Sequence, residues 1–321
     1  MLDHLKKRLL QAGPDSFALI LAFRVQAAMH GITMSVSRSR VSLRRGRREI
    51  ILGARDLILI PFAVRLWDEH FDTLEGELRE GRLVLDFSVP ALHRYRRSGL
   101  SFHFPSFAEE DAMDAYTATY KPMPGDVVWD VGANAGTTTY FLAHLVGPAG
   151  KVYAFEPDET NYQFLMQNLE LHGLKNVVPV KAALSGTTGT ATFCMDGTMC
   201  AGLSDSLAFT NSKRTVEVET LSLEDACERF GSVPDYIKLD IEGAELSVVA
   251  GALEFLRCHP IHLSIESNHI VEGRLTSGPL DAMLSATGYR AWSSDEFGQR
   301  FTWAVPGPAV LEAASRSHKV A

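Results

Sequence analysis

The feature that most constrains this chain is a short apolar run that leads into a glycine-rich turn and then into a helical segment. Residues 127–131 are apolar apart from Asp130, and residues 130–136 read DVGANAG. Residues 137–146 continue with a helical pattern, which Gly147 and Pro148 close. A buried strand, a tight turn and a helix in this order are typical of proteins that alternate strands with helices.

The same alternation continues through the rest of the chain. Further strands are predicted at residues 151–157, 177–184, 216–219, 235–241, 262–266, 289–293 and 301–305. Helices are predicted at residues 158–172, 246–256 and 280–287. This order predicts an α/β fold with a mainly parallel sheet and helices on both faces. Ligands bind such sheets beyond the carboxyl ends of the strands, so chemistry is expected there.

The first 105 residues have a different character. They are net basic, whereas residues 106–321 are net acidic. We predict helices at residues 5–10 and 17–29, strands at 41–44 and 83–89, and either structure at 57–67. The change in charge predicts two regions with different partners, 1–105 and 106–321.

Composition excludes several classes of protein. Apolar residues make up 46% of the chain and charged residues 22%, values typical of globular proteins rather than disordered or collagenous ones. The most apolar windows, 17–29 and 57–67, are too short to span a bilayer and contain Arg24 and Arg65. The four cysteines form no C-x-x-C pair, which favours reduced thiols. We therefore predict a soluble, cytoplasmic protein without a transmembrane segment.

The turn at 130–136 indicates which ligand this edge of the sheet binds. A dinucleotide fingerprint has a glycine two residues before Gly132, where this chain has Asp130. A carboxylate is a poor neighbour for a pyrophosphate and a good one for a cation. The cofactor predicted is therefore S-adenosyl-L-methionine, an adenosine with a positively charged tail. We expect Asp130, Gly132, Asn134, Gly136 and Thr137 to contact it at the helix N-terminus.

Two further strand ends are expected to contact the adenosine. Glu156 ends the second predicted strand, where an acidic side chain accepts hydrogen bonds from both ribose hydroxyls. Pro157 stiffens the turn behind it. Ala183 and Leu184 end the third strand, and small or apolar side chains suit the face of an adenine.

Another strand end carries candidates for catalysis. Residues 238–245 read KLDIEGAE, and Lys238 and Asp240 share one face of the strand. A hydroxyl that attacks a methyl group must lose its proton, and Asp240, Glu242 or Lys238 could accept it. The alternative is structural, with Lys238 paired to Asp240 and with Glu242 and Glu245 favouring the N-terminus of the next helix.

Glu266 and His269 form a second polar cluster on the same edge. His269 is a further candidate for the general base, because a histidine titrates near neutral pH. A histidine in a loop can equally be solvated and inactive. The chain has no H-x-x-x-H pair and no cysteine cluster, so we predict no metal site.

These segments together resemble the FkbM family of S-adenosylmethionine-dependent methyltransferases, within the class I Rossmann-like group. The resemblance is carried by residues 124–136, 150–157, 216–221 and 237–245. It implies a mainly parallel sheet whose last strand is antiparallel, in an S-adenosylmethionine-binding domain at 106–321. Residues 1–105, predicted as a mixed α+β region, match nothing in the family pattern, so we expect them to serve substrate choice or assembly. The resemblance also implies methyl transfer to a hydroxyl oxygen without a required metal, and contacts from Asp130, Gly132 and Glu156 to the cofactor.

The leading hypothesis is an O-methyltransferase that acts on a hydroxyl of a sugar or secondary metabolite. The arginines between positions 38 and 48 keep open a second hypothesis, methylation of RNA or protein. No aromatic platform stands beside those arginines, so we do not expect nucleic acid as a partner. A third hypothesis makes the N-terminal region an interaction module, for example for homo-oligomers.

Overall fold

A computed structural model describes residues 17–53, 56–108, 112–194, 202–203 and 215–317. The helix predicted at residues 5–10 lies outside these ranges. The described chain divides into two compact units, one of residues 17–108 and one that begins at residue 112. The assignment of separate roles to residues 1–105 and 106–321 stays a prediction.

The first unit contains a mixed five-stranded sheet, a two-stranded sheet and helices. Its elements are α1 (Phe17–Met29), β1 (Thr33–Val36), β2 (Arg40–Arg45), β3 (Arg48–Gly53), a 3₁₀ helix (Leu57–Leu59), α2 (Ile60–Arg65), α3 (Trp67–Thr73), β4 (Glu77–Arg79), β5 (Arg82–Phe87), β6 (Ala91–Arg94) and β7 (Ser101–Phe104). The large sheet has the order β1-β2-β3-β5-β4, with β3 and β5 parallel. Residues 57–67, which the sequence left open, are helical.

The arginines between positions 38 and 48 lie mainly on the β2–β3 hairpin, and two of them are held by α3. Arg45 pairs with Asp68, and the Arg48 guanidinium lies 3.1 Å from the same carboxylate. Their guanidinium carbons also lie 5.4 Å and 5.1 Å from the ring centres of Trp67 and Phe71. These two arginines therefore have partners within their own unit.

The second unit contains the strand–helix alternation. Its elements are α4 (Met113–Tyr116), β8 (Val127–Val131), α5 (Thr137–Val146), β9 (Lys151–Phe155), α6 (Glu159–Leu171), β10 (Val177–Val180), β11 (Ala183–Leu184), β12 (Gly189–Cys194), β13 (Gly202–Leu203), β14 (Thr215–Leu221), α7 (Leu223–Phe230), β15 (Tyr236–Leu239), α8 (Glu245–Gly251), α9 (Leu253–Cys258), β16 (His262–Glu266), β17 (Ile270–Val271), β18 (Arg274–Leu275), α10 (Ser277–Ala286), β19 (Tyr289–Ser294), β20 (Phe301–Pro306) and α11 (Pro308–Ser317).

The central sheet has seven strands in the order β10-β9-β8-β15-β16-β20-β19. The first five run parallel to one another, and the last strand of the chain, β20, is antiparallel to both neighbours. The first strand of the unit, β8, lies in the middle with β9 on one side and β15 on the other. This is the predicted class I methyltransferase sheet, so the fold prediction is confirmed. The point where the strand order reverses lies between β8 and β15.

A second sheet of four strands lies beside this core, in the order β11-β14-β12-β13. The single strand predicted at 177–184 is wrong in this respect, because β10 ends at Val180 and β11 joins the second sheet through β14. The sequence also missed β12, which pairs antiparallel with β14 over six residues. A glycine- and threonine-rich stretch has no strong strand signal until its partner strand is present.

Buried apolar side chains hold the central sheet against its helices. Trp129 on β8 is fully buried and packs at 5.2 Å from the ring of Phe155 and 5.9 Å from that of Phe230. Of the four cysteines, Cys227 and Cys258 lie in described surroundings and both are free thiols. Among the described helices, none is long and apolar enough to cross a membrane.

Candidate active site

The carboxyl ends of β8, β9, β15 and β16 bring most of the predicted site residues to one edge of the sheet. Strands β8 and β15 are in register, so Asp130 is paired with Lys238 across the sheet. The turns that follow these two strands touch each other. A Cβ atom built on Gly132 would lie 1.9 Å from the backbone oxygen of Asp240. Only glycine fits here, at a backbone φ of 80°.

The turn between β8 and α5 is held by backbone hydrogen bonds to β9. The N–H groups of Gly132 and Ala133 both donate to the carbonyl of Phe155. Asn134 has a left-handed backbone with φ of 46° and donates its N–H to Glu156 Oε2 at 2.9 Å. Asparagine tolerates this conformation better than most residues do. The turn therefore presents backbone groups and the N-terminus of α5 at the sheet edge.

The carboxylate of Asp130 is completely enclosed. Thr139 donates to its Oδ2 at 2.6 Å, and Lys238 Nζ lies 3.1 Å from its Oδ1. Lys238 is 3% exposed and also donates to the carbonyl of Gly132 at 2.6 Å. Lys238 thus pairs with the neighbouring strand rather than with Asp240, the partner that the structural alternative named. This buried pair ties β15 to the turn at Gly132.

Glu156 lies directly after β9, as the sequence predicted, with its carboxylate turned into the site. Its two oxygens accept the backbone N–H groups of Asn134 and Asp158, the latter at 2.8 Å. Burial raises the pKa of Glu156 to about 8, and the nearby charge of Asp158 adds to the effect. Each carboxylate oxygen can accept a second hydrogen bond, so Glu156 can still receive hydroxyl donors.

Four other predicted cofactor contacts are buried. Thr137 begins α5, and its hydroxyl has no hydrogen-bond partner among the described residues. Gly136 precedes it, at a φ of 89° and close to Leu165. Ala183 and Leu184 lie in β11, where they offer no polar atoms to a ligand. Their contact with an adenine stays a prediction.

The ends of β15 and β16 carry a second cluster, centred on His269. Its Nδ1 lies 3.2 Å from Glu245 Oε1, and its Nε2 lies 3.6 Å from Glu242 Oε2 and 4.0 Å from Asp240 Oδ1. Glu245 is fully buried and also accepts the backbone N–H of Ile241. The sequence named these residues, but only the fold brings the histidine onto the carboxylates.

The charges in this cluster depend on one another. Burial by itself would lower the pKa of His269, but the carboxylates of Glu245, Glu242 and Asp240 outweigh it and raise the pKa to about 10. Burial raises the pKa of Glu242 to about 8, although His269 opposes the rise. Burial and the charge of Asp240 also raise the pKa of Glu266. His269 therefore carries a positive charge at neutral pH.

Tyr116 is the residue at this edge that the sequence did not indicate. Its hydroxyl lies 3.3 Å from Asp240 Oδ2 and 3.3 Å from Glu266 Oε2. Asn268 donates to the other oxygen of Glu266 at 2.7 Å. Tyr116 lies outside every predicted strand and helix, and a lone tyrosine there carries no signal of its own. Only the position of α4 against the sheet reveals it.

The donor atoms of Asp240, Glu266 and His269 lie within 4.8 Å of one another, which is close enough for a metal ion. A positively charged imidazole, however, has no lone pair to offer a cation. These side chains can exchange protons with one another, and a cation bound here would have to displace the imidazole proton.

Comparison with known proteins adds the family. The family described as methyltransferase FkbM domain matches residues 130–291. The hexuronic acid methyltransferase AglP of Haloferax volcanii is 29% identical over 134 residues, covering 41% of this chain and 52% of that protein. The 31-O-demethyl-FK506 methyltransferase FkbM of Streptomyces tacrolimicus is 31% identical over 195 residues, covering 52% of this chain and 73% of that protein.

A solved structure of methyltransferase FkbM from Methylobacillus flagellatus is also similar, at 18% identity and a TM-score of 0.43. The similarity covers 59% of this chain and 45% of that one. The chain thus spans about half the length of two of these three relatives.

Proposed function

The chain belongs to the FkbM methyltransferase family, and on that premise we propose that it is an S-adenosylmethionine-dependent O-methyltransferase acting on a hydroxyl of a small molecule. The two similar curated proteins are named for a hexuronic acid and for a demethylated FK506 as substrates. A sugar or secondary metabolite is therefore the proposed class of acceptor. The observation that carries the proposal is the buried Glu156, which lies beside the glycine turn.

The residues around that turn fit S-adenosylmethionine. Glu156 would accept hydrogen bonds from the ribose hydroxyls, and the orphaned hydroxyl of Thr137 offers a buried hydrogen-bonding group at the helix N-terminus. Asp130 is enclosed and paired with Lys238, so we propose that it acts indirectly by fixing the turn at Gly132. When bound, the cofactor supplies an electrophilic methyl group on a sulfonium.

Asp240 is the proposed general base. Lys238 is buried in its pair with Asp130, and His269 already carries a proton, so neither can accept one. Burial keeps Glu242 mostly protonated at neutral pH, because its pKa is raised to about 8. Asp240 is 30% exposed, and its Oδ1 lies 4.0 Å from His269 Nε2. The acceptor hydroxyl would give its proton to this oxygen while attacking the methyl group, so catalysis consists of positioning plus one proton transfer.

The first test is binding of S-adenosylhomocysteine, measured by isothermal titration calorimetry. Replacing Glu156 by alanine should weaken binding about tenfold, because each of the two ribose hydrogen bonds lost contributes about 0.5–1.5 kcal/mol. Glu159→Ala is the matched control. Glu159 follows Glu156 by only three residues, but its side chain is exposed and paired with Lys181. Equal affinities for wild type and Glu156→Ala would overturn the proposed cofactor site.

The second test is methyl transfer from labelled S-adenosylmethionine to a panel of neutral glycosides, uronic acids and macrocyclic alcohols. Transfer to one of these acceptors supports the proposal if Asp240→Asn abolishes it. The affinity of that variant for S-adenosylhomocysteine should stay within twofold of the wild-type value. Addition of a chelator during the assay separates a metal-assisted reaction from the proton transfer proposed. Methylation of RNA or protein without any transfer to small molecules would contradict the acceptor class.

A further inference from the structure

We infer that Tyr116 is a positioning residue for the proposed general base, sharing its single hydroxyl proton between the carboxylates of Asp240 and Glu266. The inference rests on the proposed function and extends it to a residue outside the family match, which begins at residue 130. Its basis is the position of one hydroxyl at 3.3 Å from both carboxylates.

The protein holds Tyr116 firmly at this place. The backbone carbonyl of Tyr116 accepts hydrogen bonds from Tyr236 Oη and Ser264 Oγ, both at 2.8 Å. The preceding carbonyl, that of Ala115, accepts the indole N–H of Trp303 at 2.9 Å. Three strands of the central sheet, β15, β16 and β20, thus anchor a helix of only four residues. These hydrogen bonds fix the position of the Tyr116 side chain.

The hydroxyl of Tyr116 acts as a donor and not as a base. Burial raises its pKa well above the ordinary value, and the charges of Asp240 and Glu266 add to this. The other charged groups that face it are Asp130 and Lys238, whose Nζ lies 5.5 Å from the centre of the tyrosine ring. Tyr116 therefore keeps its proton over the whole working pH range.

The two carboxylates differ in what else they can do. Glu266 accepts Asn268 on Oε1 and Tyr116 on Oε2, so both of its oxygens are engaged. Asp240 accepts Tyr116 on Oδ2 and is 30% exposed, with its Oδ1 4.0 Å from His269 Nε2. Asp240 is thus the carboxylate that can receive a proton from outside, and Glu266 is the one that can take over the tyrosine hydrogen bond.

In the proposed reaction, one proton moves from the acceptor hydroxyl to Asp240. The acceptor O–H bond would break and a new O–H bond would form on Asp240 Oδ1. The acceptor oxygen would take the methyl carbon, whose bond to the sulfonium sulfur would break and leave a neutral thioether. Asp240 loses its negative charge in this step, and the Tyr116 hydroxyl can turn to Glu266. The other titratable groups beside Asp240 are His269, whose Nε2 lies 4.0 Å from Asp240 Oδ1, and Glu242, which faces the same imidazole.

The test compares the pH profiles of two variants with opposite expected shifts. In Tyr116→Phe, Asp240 loses its donor and faces Glu266 without a bridge, so the acidic limb of the kcat/KM profile should move upward by about 0.5–1 pH unit. In Glu266→Gln, a neighbouring negative charge is removed, so the same limb should move downward. Tyr120→Phe is the matched control, because that hydroxyl bonds Asp126, which precedes β8 at the opposite end of the strand.

A purely structural role for Tyr116 would lower kcat by the same factor at every pH and leave both limbs in place, and this result would overturn the inference. Shifts of the same sign in both variants would overturn it as well. The phenylalanine variant keeps the edge-on packing of the ring on Phe301, 5.3 Å away, which guards against unfolding.

A readout that does not need turnover separates this inference from the proposed function. In protein labelled with ¹³Cγ-aspartate, the signal lost in Asp240→Asn identifies Asp240, and its titration midpoint should rise in Tyr116→Phe and fall in Glu266→Gln. Such shifts without any methyl transfer would support the role of Tyr116 and refute the proposed acceptor chemistry. Unchanged midpoints beside active methyl transfer would refute the role of Tyr116 alone.

Discussion

At the scale of single residues, the site depends on two turns that approach more closely than side chains allow. Gly132 lies against the backbone oxygen of Asp240, and this contact joins the proposed cofactor turn to the proposed catalytic strand end. Two other residues near these turns, Asn134 and Glu242, have left-handed backbones, with φ of 46° and 56°. Non-glycine residues in this region cost of order 1 kcal/mol or more, and such strain is concentrated at functional sites.

We predict that Gly132→Ala will unfold the protein partly or completely. A methyl group 1.9 Å from a backbone oxygen cannot be accommodated without moving β8 away from β15. Gly231→Ala is the matched control, because Gly231 at the end of α7 has a left-handed backbone, with φ of 65° and ψ of 26°, but no atom near an added Cβ. It should cost only about 1 kcal/mol, from backbone strain. Urea unfolding measures both, and equal losses would show that the close approach does not matter.

The Asp130–Lys238 pair gives a second prediction at this scale. Lys238→Met should destabilise the second unit by roughly 3–5 kcal/mol, because it leaves a buried carboxylate without its counter-charge. Adding Asp130→Asn to the same protein should restore most of the loss. Lys181→Met, which removes an exposed pair with Glu159, should cost less than about 1 kcal/mol. A double variant no more stable than Lys238→Met would contradict this account.

At the scale of secondary-structure elements, the start of α6 supports the proposed ribose contact. Asp158 caps this helix by accepting the N–H groups of Thr160 and Asn161, and its own N–H donates to Glu156. Asp158 therefore connects the helix cap to Glu156, the side chain predicted to bind the ribose. The short helix α4 positions another side chain of the candidate site, because its anchored backbone holds Tyr116 beside the proposed general base.

We predict that Asp158→Ala will lower stability by about 1 kcal/mol, the usual effect of losing a helix cap. It should also weaken S-adenosylhomocysteine binding at least threefold, because the N–H donor to Glu156 is no longer held. Ser222→Ala removes the cap of α7, where the serine side chain accepts the backbone N–H of Asp225. That control should lose similar stability with unchanged affinity. Isothermal titration calorimetry measures the affinity of both variants for S-adenosylhomocysteine. Equal affinities would show that the cap of α6 does not support the ribose contact of Glu156.

At the scale of the whole molecule, the two units should respond to pH in opposite directions. In residues 17–108, burial lowers the pKa of both His70 and His93 to about 4. Their contribution to stability is complete above pH 6.5 and is lost as pH falls towards 4, up to roughly 3 kcal/mol for each. In the second unit, burial raises the pKa of Glu156 and Glu242 to about 8. Their contribution is complete below pH 4.5 and is lost as pH rises through 8.

Hydrogen exchange at pH 5 and pH 8.5, corrected for intrinsic rates and read by mass spectrometry, would test this difference. Peptides from 17–108 should be less protected at pH 5, and those around β9 and β15 less protected at pH 8.5. The double variant His70→Phe/His93→Phe should abolish the first effect, whereas His30→Asn, at an exposed position, should not. The same pH response in both units would refute the prediction.

The sequence by itself determined the alternation of strands and helices, the glycine turn after β8 and the acidic strand end at Glu156. These are local features, because periodicity, turn residues and strand ends are set by neighbours along the chain. The FkbM resemblance and the mainly parallel sheet followed from them and are confirmed. Which residues of the candidate site would act together could not be predicted in this way.

Only the tertiary structure decided the partners of the charged residues. Lys238 faces Asp130 because β15 and β8 are paired in register, and His269 is held between Glu245 and Glu242 because the loop after β16 folds over the end of β15. Tyr116 reaches Asp240 across 124 positions of the sequence. Contacts between residues far apart in sequence depend on strand order and packing, and the protonation state of a buried group depends on those contacts. The sequence thus named most of the charged groups, and the fold gave each of them its partner.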